Sequence, residues 1–217
     1  MIGNRTGSLA LTGGEPTSVP GELIELVREA RKLCPRMDLH LLTNGIALAD
    51  FDFAKELVSS GYPRLYFHIP LYSDVATIHD HIVGRKALFA TMKALRNLAV
   101  LRQPIELRTV VFAANWTRLR QFADFVARNL PFVMHVALMG LEPEGEARKR
   151  LADVWIEPAE TIKALREAVQ SLHRADIDVS IYNYQLCILP AELWSFSRKA
   201  ISDWKNIYLD SCGACGR

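Results

Sequence analysis

The sequence has little of what marks fibrous, secreted or membrane proteins. Four cysteines in 217 residues are too few for a disulfide scaffold, and the composition is that of an ordinary globular domain. No apolar run approaches the ~18 residues that a membrane helix needs, and residues 1–14 do not resemble a signal peptide. We therefore expect a cytoplasmic protein that has no membrane partner.

A strong excess of one charge is missing too. Lys and Arg together number 26 against 24 Asp and Glu, so the formal net charge is only +2. Because a surface that binds nucleic acid is usually strongly basic, we expect no nucleic-acid partner. Half of the residues are apolar, which is enough for one sizeable hydrophobic core in a chain of this length.

What the sequence does contain is an alternation of short apolar runs with segments whose apolar residues have helical spacing. This order predicts a parallel sheet covered by helices. About five such strands are too few for a closed eight-stranded barrel, so we expect an open, partial barrel. The alternation stops at Cys187, which divides the chain into a barrel region, 1–186, and an irregular tail, 187–217. The strand-like runs are residues 8–12, 39–43, 65–71, 105–112, 133–141 and 179–184.

Polar residues at the ends of these runs are candidates for ligand binding, because ligands gather at the carboxyl ends of parallel strands. The first run is followed by Gly13, Gly14 and Glu15. The two glycines let the backbone come close to a ligand, and the Glu15 carboxylate can hold an ammonium group. The same residue types also form ordinary strand-to-helix turns, so both interpretations stay open for this motif alone.

The ordered set of motifs resembles the radical S-adenosylmethionine (SAM) enzymes. Thr-Gly-Gly-Glu-Pro at 12–16, then a helix, then Leu-Leu-Thr-Asn-Gly at 41–45, is similar to the second and third strands of that superfamily. Further stretches resemble one subgroup, the maturase of the His-Xaa-Ser repeat system, which modifies a gene-encoded peptide. The resemblance extends from about residue 8 to residue 215. Those further stretches are residues 68–74, 79–80, 105–108, 129–132, 136–142, 180–187 and 201–206.

This resemblance implies an α/β fold, an open partial (β/α)6 TIM-like barrel of the radical SAM type that lacks its first strand here. It also implies SAM as a cofactor, whose amino group is bound by the Glu of the Gly-Gly-Glu segment. Ser73 stands near the place where the fourth strand of many family members offers a serine. The SAM-binding candidates are Gly13, Gly14, Glu15, Asn44, Ser73 and Arg108.

Two of these candidates also have plain structural alternatives. Asn44 either holds the sugar or amino acid part of SAM or forms the turn before Gly45. Arg108 lies among apolar neighbours in the fourth run, where a charge needs a partner. That partner is either the SAM carboxylate or a carboxylate of the chain itself, Glu106 or Glu142.

The resemblance further implies a [4Fe–4S] cluster, an electron donor and a peptide or protein substrate such as a His-Xaa-Ser repeat precursor. In the family, SAM on this cluster gives a 5′-deoxyadenosyl radical that takes a hydrogen atom from the substrate. The cluster motif Cys-x3-Cys-x2-Cys precedes Gly-Gly-Glu-Pro in the family, whereas the first cysteine of this chain is Cys34. We therefore expect a chain truncated at both ends and inactive by itself.

Cys212 and Cys215 have the Cys-x2-Cys spacing of iron–sulfur and zinc sites. The resemblance implies that they belong with Cys187 to an auxiliary cluster, while a redox or zinc pair stays open. Three functions fit: a fragment of a radical SAM peptide maturase, a catalytically inactive binding partner, or another radical SAM maturase with an auxiliary cluster. The sequence names no catalytic acid, base or radical-quenching residue.

Several other side chains are expected to have structural roles. We expect His79 and His81 to be solvated or to cap turns, and His135 to be a hydrogen-bonded histidine of its strand. The aromatic side chains of the tail are expected to dock it on the barrel rather than to bind a ligand. They are Trp194, Phe196 and Trp204.

Overall fold

The computed structural model describes residues 7–199 and 209–215 of the chain. Six strands and eight helices alternate in this described part. The strands are β1 (Ser8–Leu11), β2 (Asp38–Leu42), β3 (Leu65–Pro70), β4 (Ile105–Val111), β5 (His135–Gly140) and β6 (Asp178–Tyr182). The helices are α1 (Pro20–Leu33), α2 (Phe51–Ser59), α3 (Ala76–Val83), α4 (Leu88–Val100), α5 (Leu119–Asn129), α6 (Glu146–Lys149), α7 (Leu151–Val154) and α8 (Pro158–Arg174).

All six strands are parallel and form one sheet in the order β1-β2-β3-β4-β5-β6. Every connection between neighbouring strands carries at least one helix, as parallel pairing requires. The prediction of an open partial barrel is confirmed. The sheet has six strands rather than about five, since each of the six strand-like runs forms one, and the last, Asp178–Tyr182, pairs along its whole length with β5.

The two faces of the sheet differ because successive side chains of a strand point to opposite sides. One face is packed under the helices and is apolar, with Leu41, Phe67 and Leu107 fully buried in the common core. The opposite face, here called the inner face, is only partly buried along β2 to β4 and carries polar side chains. These inner-face residues include His40, Tyr66, His68, Glu106, Arg108 and His135.

The segment between β3 and β4 contains two helices, whereas the apolar spacing over residues 86–101 predicts one. The predicted helix is α4, and α3 precedes it and ends at Val83, before the left-handed Gly84. The Asp80 carboxylate of α3 accepts hydrogen bonds from the N–H groups of Ala87 and Leu88, at 2.8 and 2.9 Å. Asp80 therefore supplies an acceptor for otherwise unsatisfied donors at the start of α4.

Two aromatic residues anchor the beginning of the tail. Trp194, in a 3-10 helix (Ala191–Phe196), donates from Nε1 to the carbonyls of Leu186 and Leu189, at 3.1 and 2.9 Å. Phe196 packs against the core and contacts His173 edge-on. The docking role expected for these two residues is therefore confirmed, while Trp204 lies outside the described residues. No helix in the described part is long and apolar enough to cross a membrane.

Candidate functional site

The turn after β1 carries the Gly-Gly-Glu motif at the carboxyl end of the sheet. Gly13 and Gly14 have φ values of 92° and 56°, a left-handed backbone that L-residues avoid. Nothing lies within 4 Å of the position where a Cβ would stand at either glycine. The turn therefore exposes bare backbone beside Glu15, open to an approaching ligand.

The Glu15 carboxylate joins the ends of β1 and β2. Its Oε1 accepts from the Thr17 N–H at 3.1 Å, from the Thr17 hydroxyl at 2.7 Å, and from the Thr43 hydroxyl in a short hydrogen bond. Its Oε2 accepts from the Asn44 N–H at 2.7 Å. The motifs at 12–16 and 41–45, distant in sequence, thus form one structural unit.

The same hydrogen bonds keep Glu15 ionised. Burial raises its pKa, but the donors from Thr43, Asn44 and Thr17 outweigh burial and hold the pKa below its usual value. Among the described hydrogen bonds, Oε2 accepts only one, and a carboxylate oxygen has room for two. A fixed negative charge with remaining acceptor capacity is what an ammonium group needs.

Asn44 connects this carboxylate to a cleft. Its Oδ1 accepts from the Ile46 N–H at 2.9 Å, so the turn expected at this position is present. Asn44 also lines a cavity of about 280 Å³ together with Tyr72, His79 and Thr91. The buried Thr91 hydroxyl makes no hydrogen bond within the described structure. The cavity therefore combines polar groups with apolar walls, as small-molecule sites do.

Arg108 lies on the inner face of β4, opposite Pro70 of β3. Its Nε is 3.4 Å from Glu106 Oε1, so one of the expected carboxylate partners is present. That buried Nε nevertheless makes no hydrogen bond in the described part of the chain. Burial raises the pKa of Tyr72, a residue of the cleft, and the charge of Arg108 partly offsets that rise.

Ser73 lies apart from the Glu15 unit, in the loop between β3 and α3. It is 1% exposed, and its Oγ accepts from the Val75 N–H at 3.1 Å and donates to Asp74 at 3.4 Å. Asp74 in turn pairs with Arg118 at 2.7 Å. The structure thus uses the Ser73 hydroxyl in the turn before α3, and its role toward SAM stays a prediction.

The histidines of α3 differ from each other. His79 is 1% exposed, and its Nδ1 accepts from the Tyr72 N–H at 3.2 Å. His81 is exposed. His79 therefore accepts a hydrogen bond from the loop before α3, as a turn-capping histidine does, and the alternative of a solvated side chain is wrong for it. It lines the cleft beside Ile82 and Val83 of the same helix.

The four cysteines lie at the end of α1, after β6 and in the tail. Cys34 donates from Sγ to the Ala30 carbonyl at the end of α1, on the side of the sheet where β2 begins. Cys187, Cys212 and Cys215 are exposed free thiols, the last two in and after a 3-10 turn (Asp210–Ala214). No group of three or more His, Cys, Asp or Glu among the described residues is placed to hold a metal ion.

A chain of hydrogen bonds crosses the inner face, and the sequence did not predict it. The sequence predicted only that His135 is hydrogen-bonded, which is confirmed. The chain of hydrogen bonds runs from His40 on β2 through His68, Glu106 and His135 to Ser180 on β6. The available signal was the position of polar residues at alternate sites of neighbouring strands. Only the register of the sheet shows that they face one another.

Comparison with known proteins gives the fold. No family model matches the chain, and no curated protein matches it. A domain of a pyruvate-formate lyase-activating enzyme from Bacteroides vulgatus is similar, with a TM-score of 0.62, 16% identity, and coverage of 81% of this chain and 98% of that one.

Two structures with a bound cofactor are also similar. The enzyme anSMEcpe with bound AdoMet has a TM-score of 0.61 and 17% identity over 82% of this chain and 48% of that one. SuiB of Streptococcus suis bound to S-adenosylmethionine has a TM-score of 0.57 and 11% identity over 83% of this chain and 38% of that one. All these neighbours are radical SAM enzymes.

The fold is an open partial barrel of six parallel strands, similar to the barrels of these neighbours. The chain spans about half or less of the length of the two SAM-bound structures. At these identities the likeness establishes the fold, and the function has to be argued from the chain's own residues.

Proposed function

We propose that this chain is the SAM-binding part of a radical SAM enzyme that modifies a peptide. The observation that carries the proposal is the Glu15 carboxylate, held ionised at the joined carboxyl ends of β1 and β2 with acceptor capacity remaining on Oε2. The fold supports it, since ligands of such barrels bind at this end of the strands. One structural neighbour, anSMEcpe, has been seen with AdoMet and a peptide.

The residues of the site fit SAM by charge. Glu15 would hold the ammonium group, and the open backbone of Gly13 and Gly14 leaves room for the methionine part. Arg108, whose buried Nε makes no hydrogen bond among the described residues, would hold the carboxylate, and Asn44 lines the cleft that would take the rest of the molecule. When bound to a [4Fe–4S] cluster, SAM supplies a radical that removes a hydrogen atom from a substrate.

The catalytic cluster does not fit the described residues in the same way. Among the described residues no three cysteines form a group that could hold a metal, and Cys34 lies where β2 begins, at the opposite end of the strands from Glu15. The role proposed for the chain itself is therefore to bind and orient SAM. Cys187, Cys212 and Cys215 are proposed as ligands of an auxiliary cluster, and a His-Xaa-Ser repeat precursor as the peptide.

Calorimetric titration of the folded chain with SAM tests the proposal. The variant Glu15→Gln keeps the shape of the side chain and removes its charge, and we expect binding at least tenfold weaker, since a hydrogen bond to a charged group contributes about 1.5–3 kcal/mol. Glu25→Gln, which removes an exposed carboxylate of α1, is the matched control and should bind SAM as the wild type does. Equal binding by Glu15→Gln, or no saturable binding by the folded wild type, would overturn the proposal.

A second candidate is a binding protein without catalysis, favoured by the lack of a cluster ligand set among the described residues. The two candidates differ in the coding DNA around this reading frame. A Cys-x3-Cys-x2-Cys motif upstream favours the enzyme, and its 5′-deoxyadenosine formation after anaerobic reconstitution is then measurable. If the flanking sequence encodes no such motif, the binding protein is favoured.

A further inference from the structure

Five polar side chains on five adjacent strands form one hydrogen-bonded chain, here called the inner-face network. Nδ1 of His40 is 2.7 Å from Nε2 of His68, and Nδ1 of His68 is 2.8 Å from Glu106 Oε1. Glu106 Oε2 is 2.8 Å from Nδ1 of His135, whose Nε2 is 2.9 Å from the Ser180 hydroxyl. None of these contacts belongs to the Glu15 unit.

The register of the sheet explains why these side chains meet. His68 and His135 each stand directly opposite Glu106 on the neighbouring strands. Adjacent strands lie ~4.8 Å apart, which brings both imidazoles within reach of the one carboxylate. His40 stands opposite Tyr66 and Ser180 stands opposite Ala137. Each of the two therefore reaches its histidine partner diagonally, across two residues of the neighbouring strand.

The centre of the network is an ionised carboxylate. Burial raises the pKa of Glu106, but the hydrogen bonds and charges of His135 and His68 outweigh burial and hold it far below the usual range. An ionised carboxylate only accepts hydrogen bonds. Both histidines must therefore carry a hydrogen on Nδ1, the nitrogen that faces Glu106.

This requirement fixes the tautomers of the outer residues in turn. When His68 is neutral with its hydrogen on Nδ1, its Nε2 is a lone pair and must accept from Nδ1–H of His40. By the same reasoning, Nε2 of His135 accepts from the Ser180 hydroxyl. One arm of the network thus ends on a hydroxyl, whereas the other ends on Nε2 of His40, a lone pair that accepts no hydrogen bond within the described network.

We propose that His40 is a proton acceptor on the inner face of the barrel, and that His68 and Glu106 are its positioning residues. A proton leaves an acidic O–H or N–H group of a ligand on this face and binds to Nε2 of His40. The Nδ1 proton of His40 passes to Nε2 of His68. The ligand keeps the electron pair, and the positive charge ends on the His68 imidazolium beside the Glu106 carboxylate.

The surrounding charges favour uptake of one proton rather than two. Both imidazoles share a single carboxylate, so a second imidazolium on His135 would repel the first at close range. Other charged or titratable groups near the His40 arm are Asp38 with its partner Arg64, Tyr66 stacked on His40, and Arg108. Burial, and the charges of His68 and Arg108, lower the pKa of His40, whereas Asp38 and Glu106 raise it. The net effect is a pKa below the usual value, so His40 is the free base at neutral pH.

Nitrogen-15 NMR of the histidines in the wild-type chain tests this directly and without SAM. At high pH we expect His40, His68 and His135 to carry hydrogen on Nδ1, with a coupling through the hydrogen bond between His40 Nδ1 and His68 Nε2. As the pH falls through the first protonation, His40 should lose its Nδ1 hydrogen and gain one on Nε2. An isolated histidine does not show this exchange, so its absence, or a neutral His40 with hydrogen on Nε2, would overturn the proposal.

The variant Glu106→Gln provides a second test. Its amide can accept from one histidine but must donate to the other, so at least one of His68 and His135 should change tautomer. Glu29→Gln, which removes an exposed carboxylate of α1, is the matched control and should leave all three tautomers unchanged. Unchanged tautomers in a folded Glu106→Gln would also overturn the proposal, whatever SAM binding shows.

Discussion

The carboxylate of Glu15 has two roles that cannot be separated, because it joins the ends of two strands and carries the charge of the proposed SAM site. Four donors surround it, and two of them are threonine hydroxyls. A carboxylate with fewer donors would be protonated more easily in its partly buried position. The residues that hold Glu15 therefore matter for binding as well as for stability.

Thr43→Val tests this coupling. Valine keeps the shape of the buried side chain but removes the hydroxyl that donates to Glu15 and accepts from the Gly45 N–H at 3.1 Å. We expect a loss of about 1–3 kcal/mol in the free energy of unfolding and a rise in the pKa of Glu15 toward its usual value. Urea denaturation measures the first, and carbon-13 NMR titration of the carboxyl measures the second.

Thr117→Val, at an exposed position of the 3-10 helix Trp116–Arg118, is the control for this substitution. It should change the free energy of unfolding little and leave the pKa of Glu15 as it is. If Thr43→Val behaves like this control, the Thr43 hydroxyl does not support the carboxylate, and the account of the Glu15 unit is wrong.

At the scale of elements, the sequence is most informative where apolar periodicity is long. The helical spacing of apolar residues over 119–130 predicts α5, and the run 105–112 is β4 with one residue less. Helix α3 has no such periodic signal, because it has only eight residues and follows its strand after a short loop. Short helices such as α3 depend on tertiary contacts, here the burial of His79 and the bond from Asp80 to α4, which periodicity does not reveal.

The turn between β2 and the following 3-10 helix (Ile46–Ala49) depends on Gly45. This residue has φ of 77°, and a Cβ would stand 3.1 Å from a methyl carbon of Ile69. Gly45→Ala is therefore strained in both backbone and packing, and we expect a loss of about 1–3 kcal/mol in the free energy of unfolding by thermal or urea denaturation.

Gly21→Ala is the matched control for that prediction. Gly21 lies in the first turn of α1, where a Cβ would meet nothing within 4 Å, so alanine should be neutral or stabilise by about 0.5–1 kcal/mol. A Gly45→Ala chain as stable as Gly21→Ala would show that the turn adapts, and that the end of β2 is less rigid than the Glu15 unit requires.

At the scale of the whole molecule, the sequence predicts which strands bear polar ends but not how the inner face is connected. Glu106 was one of two carboxylates of the chain expected as partners of Arg108, beside the SAM carboxylate, because a charge among apolar neighbours needs a partner. The contacts of Glu106 with His68 and His135 span 38 and 29 residues and depend on the register of three strands. A single sequence has no periodic signal for strand register, so these contacts could not be predicted from the sequence alone.

The tail and the barrel together give the last prediction, which concerns the auxiliary cluster. Cys187 follows β6, whereas Cys212 and Cys215 are adjacent through a tight turn in which the Cys215 N–H bonds to the Cys212 carbonyl at 3.0 Å. After anaerobic reconstitution with iron and sulfide, we expect the chain to bind iron and to show the visible absorbance of an iron–sulfur cluster. The variants Cys212→Ser and Cys215→Ser should each lose most of this iron, since serine is a poor iron ligand.

Cys34→Ser is the control, because the Cys34 thiol donates to the Ala30 carbonyl at the end of α1. It should retain the iron of the wild type, and loss of iron in this variant alone would assign the metal to a different place. If the wild type and the three variants bind iron equally, Cys212 and Cys215 are not ligands. The described contacts of the tail, such as those of Trp194 and Phe196, would then serve stability alone. The argument for a maturase with two clusters would fail, while the SAM site could still stand.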